Sequence, residues 1–240
     1  MPRISLARLR NLALDILFPP LCLTCNTLLA AHEKLSVSCD ACVAAVPLYD
    51  GLFCPACLRR IPHGGRLCHP EAKYVLAPAA HYGNETVRKL VWQCKYHAWL
   101  SAGEPLARLM ASYLKGLPHD FSGYSIVPVP LHKKREWSRG FNQAHVMGTR
   151  IGAHLGIPVI AGNLVRAKET AAQADLKDYD AREKNIRGAF HAQDPLAFKG
   201  KSVMLVDDVT TSGATLHEAA KVLKQCGAKN VIALVAARAR

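Results

Sequence analysis

Residues 203–215 read V-M-L-V-D-D-V-T-T-S-G-A-T and continue into L-H-E-A-A-K-V-L-K-Q-C-G, which ends at Gly227. Four apolar residues followed by Asp207 and Asp208 have the composition of a buried parallel strand whose carboxyl end is polar. Thr210, Thr211, Ser212, Gly213, Ala214 and Thr215 then make a small, hydroxyl-rich loop. Leu216, Ala219, Ala220, Leu223 and Cys226 recur at helical spacing, with Gly227 placed to end the helix. Strand, turn and helix in this order predict an α/β fold. In open α/β sheets, ligands sit in the crevice beyond the carboxyl ends of the strands.

The chemistry of this turn suits a sugar phosphate. Small residues entering a helix N-terminus present unpaired backbone N–H groups and hydroxyls to an anion. The two carboxylates ahead of it suit ribose hydroxyls, or the water shell of a divalent cation, and are unsuited to phosphate itself. A ligand with a phosphate at one end and a diol a short distance away matches the spacing.

At these residues the chain resembles the type I phosphoribosyltransferases. Their motif for 5-phosphoribosyl-1-pyrophosphate (PRPP) is an apolar run, two acids, two apolar or small residues and a Thr/Gly-rich loop. The match runs from Val203 to Thr215, except that Thr210 is polar where many members carry an aliphatic residue. The resemblance implies that Asp207, Asp208 and the residues from Thr210 to Thr215 bind PRPP together with Mg²⁺.

At 240 residues the chain is long enough for one sizeable domain and a small appendage, and half of it is hydrophobic. It has no low-complexity run and no solenoid-length repeat, which excludes fibrous and repeat architectures. A net charge of +13 favours polyanionic partners such as nucleic acid or highly phosphorylated metabolites. Leu6, Leu9, Leu12, Leu14 and Leu17 are predicted on a short amphipathic helix; Asp15 interrupts its apolar run, and the P-P-L-C that follows is no export cleavage pattern. No stretch approaches the roughly 20 apolar residues of a membrane-spanning helix. A cytoplasmic protein is expected, in which paired cysteines point to metal.

Cys22 with Cys25 and Cys39 with Cys42 form two C-x-x-C pairs at a spacing slightly short of a zinc ribbon. Each pair can bend as a knuckle that aims two thiolates at one ion, so a structural Zn²⁺ on four cysteines is expected. Cys54 and Cys57 form a third pair, followed by Cys68. Glu71 stands where a paired cysteine would fall, with His63 and His69 nearby. A second metal site of Cys54, Cys57, Cys68 and His69, and a group that binds nothing, are both open. Cys94 and Cys226 fall on apolar helical faces as core residues. Residues 1–74 are expected to form the N-terminal helix and a cysteine-rich (double) zinc ribbon, and residues 75–240 a phosphoribosyltransferase-like domain.

Val87, Leu90, Val91 and Cys94 recur at helical spacing, and Lys95 and Tyr96 close that helix. The pair is either a snorkelling lysine beside a packed ring or the lining of a phosphate or base site. Further on, S-I-V-P-V-P-L at residues 125–131 reads as a strand that leads into H-K-K-R-E-W-S-R-G-F-N-Q-A. Lys133, Lys134, Arg135 and Arg139 thus place four cations in a loop after a strand, where a pyrophosphate would be neutralised.

That V-P-V-P-L…R-E-W-S-R-G-F-N-Q-A stretch resembles the signature of the competence protein ComF (ComF/GntX) family. The resemblance extends over the cysteine pairs and the K-Y helix, over Arg166, Thr170 and Gln173 in R-A-K-E-T-A-A-Q, and over Arg182, Asn185, Gly188 and Phe190 in R-E-K-N-I-R-G-A-F. It implies a parallel sheet with helices on both faces, preceded by a small zinc-ribbon domain. Residues 126–131 would be the first core strand, the basic stretch a pyrophosphate loop, and residues 159–166 the second strand. The polar segment 167–185, with Lys168, Thr170, Gln173, Lys177 and Arg182, would be a mobile lid. Lys95, Tyr96, Arg166, Gln173 and Arg182 would serve as lid or nucleic-acid contacts.

Two function classes follow. In the first, implied by the family's role in natural transformation, the protein handles incoming single-stranded DNA alongside other DNA-uptake proteins and keeps a PRPP-type pocket. Net charge, a zinc ribbon beside a basic stretch, and rings able to stack on bases (Trp92, Tyr96, Trp99, Trp137, Phe141) favour it. The alternative is an active Mg²⁺-dependent phosphoribosyltransferase with an unidentified nitrogenous acceptor. Its catalysis would consist of positioning the phosphate and ribose and neutralising the leaving pyrophosphate. The sequence identifies no general base and no base-reading pocket.

Overall fold

A computed structural model describes residues 15, 17–31, 33, 37–96, 100–169 and 184–239, excepting the side chains of Tyr96 and Leu100. The predicted N-terminal helix up to residue 14, Trp99, and the part of the predicted lid that carries Thr170, Gln173, Lys177 and Arg182 lie outside these residues. In chain order the elements are α1 (Asp40–Ala44), β1 (Leu52–Phe53), β2 (Arg60–Ile61), β3 (Val75–His81), α2 (Glu85–Tyr96), α3 (Gly103–Gly116) and β4 (Tyr124–Pro128). They continue with α4 (Lys133–Arg139), α5 (Gln143–Leu155), β5 (Leu164–Arg166), β6 (Phe190–Ala192), β7 (Ser202–Thr210), α6 (Ala214–Gln225) and β8 (Asn230–Arg238).

Four parallel strands in the order β3-β8-β7-β4 form the centre of a six-stranded sheet. The hairpin β1-β2 extends it antiparallel beside β3, through Phe53 opposite Leu76. The cysteine-rich region therefore shares a sheet with the rest of the chain. Strand β7 is apolar from Val203 to Val206 and β8 from Val231 to Ala237, because both faces are covered there. Met204, Val206, Ile232 and Leu234 pack with Leu90 of α2, Met110 of α3 and Ile151 of α5 on one face. Val203, Leu205, Val231 and Ala233 pack with Leu216 and Ala220 of α6 and Phe190 of β6 on the other. Helices thus lie on both faces of a mostly parallel sheet.

Several local expectations change. Strand β4 spans Tyr124–Pro128 and is preceded in the parallel sheet by β3, so residues 126–131 are neither its bounds nor the first core strand. The expected strand over 159–166 is broken. Val159 makes only a bridge to Ile126, Gly162 takes the left-handed φ of 77°, and β5 turns away into a two-stranded ribbon with β6. The basic stretch after β4 is a helix and not a loop: His132 caps its start by accepting from the Lys134 amide, and Gly140 ends it in the left-handed region. Strand β7 runs on through Thr210, which is strand and not loop, while Ala214 and Thr215 already belong to α6. Cys94 is buried as expected; Cys226 caps the end of α6, with Gly227 left-handed just beyond it.

Candidate functional site

Alternation along β7 separates the two acids. Successive strand residues face opposite sides of the sheet. Asp208 therefore continues the face of Met204 and Val206, over which α2 packs, and Asp207 continues the face of Leu205. The last charged residue of α2 meets the first of these: Lys95 Nζ lies 3.2 Å from Asp208 Oδ2. Burial opposes a charged Lys95, but Asp208 and Asp207 outweigh it and hold the ammonium above its ordinary value. On the other side Arg166, at the end of β5, acts on Asp207. Each carboxylate also accepts from the next amide in the chain, Asp208 N at 2.8 Å and Val209 N at 2.6 Å.

These contacts do not fully compensate the acids. Burial, then the adjacent Asp208 carboxylate, pushes Asp207 up to about 7 against the pull of Lys95 and Arg166. Arg166 is only 5% exposed and stacks its guanidinium 5.6 Å from the centre of the Phe190 ring. Burial and the neighbouring Arg135 bring its value down to about 10. The site holds opposite charges at close quarters in a partly dry crevice, where each interaction is stronger than in water.

The turn that follows has one conformation open to it. Gly213 has φ 76°, and a Cβ there would stand 2.9 Å from the Tyr74 hydroxyl. The Ser212 hydroxyl accepts from the Ala214 amide at 3.4 Å, and Gly213 supplies the first helical carbonyl to His217. The first-turn amides of α6 have no carbonyl partners within the helix, and Ala214, Thr215 and Leu216 of that turn line the crevice.

The predicted residues converge only in part. Lys95, Arg135, Arg139, Arg166, Asp207, Asp208 and all residues from Thr210 to Thr215 line one crevice at the carboxyl end of β7. Lys133 and Lys134 do not line it; Lys134 pairs instead with Glu169 at 2.6 Å. Helical geometry makes this split, since Arg135 and Arg139 are four apart and share a face. Trp137, on the same helix, is 88% exposed. The Tyr96 side chain, Gln173 and Arg182 lie outside the described residues.

Asn142 and Gln143 also line the crevice and were not among the predicted site residues. Asn142 caps α5 by accepting from the Ala144 amide and donates to the Val129 carbonyl at 3.0 Å, tying the helix start to the end of β4. Gln143, only 3% exposed, donates to the Cys94 carbonyl at 3.2 Å and holds the end of α2 that carries Lys95. The N-cap asparagine was a readable signal; the glutamine was not, because its partner is remote in sequence.

Two groups near the N-terminus bring together donors that could hold a metal ion. The ligand atoms of Cys22, Cys25, Cys39 and Cys42, and those of Cys54, Cys57, Cys68 and His69, lie within 4.8 Å of one another in each group. None of the nine cysteines is in a disulfide. The two leading knuckles share a backbone pattern. The amides of Asn26 and Leu58 donate to the Cys22 and Cys54 carbonyls, and both residues are left-handed at φ 56° and 59°. A leucine in that region costs about 1–2 kcal/mol. Amides of Thr24 and Cys39 donate to Cys22 Sγ at 3.4 Å each. Burial works to raise the Cys22 thiol, but such amides outweigh it and bring it down to about 6. In the second group His69 Nδ1 lies 3.4 Å from both Cys54 Sγ and Cys68 Sγ, so His69, and neither His63 nor Glu71, is the fourth donor brought to the three cysteines. Such donor sets fit Zn²⁺ in closed, structural sites.

A profile of the phosphoribosyl transferase domain family matches residues 100–240. Competence protein F of Haemophilus influenzae is 29% identical over 80% of this chain and 93% of its own length. The DNA utilization protein YhgH of Salmonella typhi is 32% identical over 89% of this chain and 94% of its own. Among solved structures, a glutamine PRPP amidotransferase from B. subtilis in complex with ADP and GMP is matched with a TM-score of 0.39 and 20% identity, over 57% of this chain and 26% of that one. Among the described residues no helix is long and apolar enough to cross a membrane.

Proposed function

The chain belongs to the ComF family of phosphoribosyl transferase domain proteins, and from that membership we propose that its crevice binds PRPP, or a closely related sugar 5-phosphate, in a protein that handles single-stranded DNA. The convergence of acid pair, hydroxylated turn and arginines in one crevice carries this reading. The 5-phosphate takes the amides and hydroxyls of residues 211–215. Ribose hydroxyls donate to Asp207 and Asp208, and the pyrophosphate faces Arg135, Arg139 and Arg166. Mg²⁺, when bound, neutralises charge on the pyrophosphate oxygens. Two carboxylates already shared with Lys95 and Arg166 suit an ion held through its water shell.

Residues 1–74 and 75–240 divide the work, the first held by two structural Zn²⁺ ions and the second carrying the crevice. Single-stranded DNA runs along the outer face of the basic helix α4, where the exposed Trp137 stands three and four residues from Lys134 and Lys133 and offers a stacking platform. The names of the relatives, competence and DNA utilization, support this role. A cytoplasmic location and contact with other DNA-uptake proteins go with it. Titration of the metal-replete chain with PRPP and Mg²⁺ tests the reading: heat is expected, and is lost in Asp207→Ala/Asp208→Ala while salt-sensitive single-strand binding persists. Absence of heat with the unaltered chain overturns it. Pyrophosphate release in the same sample, with nucleobases and amines as acceptors, tests the alternative of phosphoribosyl transfer.

A further inference from the structure

A second cavity opens at the opposite end of the sheet. The amino ends of β3, β8 and β4 form its floor, and Leu52, Ile61, Pro62 and Leu117 close over it. This open-mouthed cavity has a volume of about 370 Å³, inside the roughly 300–1,000 Å³ typical of small-molecule sites. It shares no lining residue with the crevice at the carboxyl end of β7. Its outer wall, residues 60–67, is strung between Cys57 and Cys68, so the second sulfur-rich group sets where that wall stands.

Charge at the cavity is one-sided. Lys73 and Lys224 both line it, and neither makes an ion pair among the described residues. The only carboxylate in the lining, Asp50, is 3.3 Å from Arg60. Asp120, beside the lining residue His119, is taken by the Ser122 amide and hydroxyl at 2.8 and 3.0 Å. Lys224 is held in place by donating to the Lys229 carbonyl at 2.7 Å. Burial and the nearby Lys73 push it below its ordinary value, so the two ammonium groups repel with no counter-charge between them. At the other end, Tyr124 and His119 present polar atoms 3.3 Å apart beside aromatic faces.

We propose that this cavity is a second ligand site, for a small amphipathic anion: a flat apolar body between Leu52, Ile61, Leu117 and Tyr124, and one carboxylate or phosphate group against Lys73 and Lys224. The site stands independently of the PRPP reading. The test uses the full-length, metal-replete chain with 1-naphthyl phosphate and 1-naphthoate as probes and 1-naphthylmethanol as the neutral control, followed by calorimetry. Both anions are expected to bind one to one, at least about tenfold tighter than the alcohol, because a charge-assisted contact in a half-buried site is worth that much. Lys73→Glu, at an exposed side chain with no structural bond, should reduce the affinity to that of the alcohol; Lys73→Arg should keep it. Saturating PRPP and Mg²⁺ should leave probe binding unchanged. Equal affinity for anion and alcohol, full affinity in Lys73→Glu, or displacement of the probe by PRPP would each overturn the proposal.

Discussion

Asp207→Asn is expected to stabilise the chain while removing its ligand affinity. In the folded protein Asp207 keeps its proton up to about pH 7, whereas the unfolded carboxyl ionises near 3.8. Between those values the folded state binds more protons, so stability falls as pH rises through the window and the loss is complete above pH 7. A rise from 3.8 to about 7 corresponds to about 4 kcal/mol. Asp207 is half-buried and not sealed from water, which reduces this to about 2 kcal/mol. Asparagine has the same shape and never ionises, so it retains the low-pH stability throughout. Thermal unfolding of both proteins from pH 4 to pH 8 measures the difference. The curves should coincide near pH 4 and separate above it, with the variant higher by about 4–8 °C at pH 8 for a chain of this size. In the same variant the heat of PRPP binding should vanish, since asparagine offers ribose one acceptor and no charge. A constant gap at all pH values, or a variant less stable at pH 8, would refute the claim that the acid pair is a destabilising feature kept for binding.

Gly213→Ala should lose about 2–3 kcal/mol and weaken PRPP binding, from the left-handed backbone and the approach to the Tyr74 hydroxyl. Adding Tyr74→Phe should restore part of the stability, read by denaturant unfolding. Lys95→Met should cost about 2 kcal/mol at pH 7.5, because it leaves Asp208 without its counter-ion, and less at pH 5, where the acid pair can take up a proton. Metal analysis should find two Zn²⁺ per chain, and one in either Cys22→Ser or Cys57→Ser; a chelator should abolish both and broaden thermal unfolding. Trp137→Ala should weaken single-strand binding by about 1–3 kcal/mol with no change in Tm, since the ring is almost fully exposed.

What the sequence determined by itself lies in contiguous stretches. The strand, acid pair, turn and helix of residues 202–225 are legible because a run of apolar residues, a polar strand end and a helical repeat each report on near neighbours. The C-x-x-C knuckles are legible for the same reason, as each carries its own backbone turn. Helix α4 is readable from His132 before it and Gly140 after it, although three adjacent cations followed by Arg139 have the composition of a solvated loop. Only the tertiary structure decided which remote groups meet. It brought Lys95 to Asp208 and Arg166 to Asp207, chose His69 over His63 and Glu71, and turned Lys133 and Lys134 away from the crevice. It also made the cavity at the amino ends of the strands, whose walls come from five separate parts of the chain. Spacing along a chain encodes which face a side chain takes, while the partner across a gap depends on how whole elements pack, and no local pattern records that.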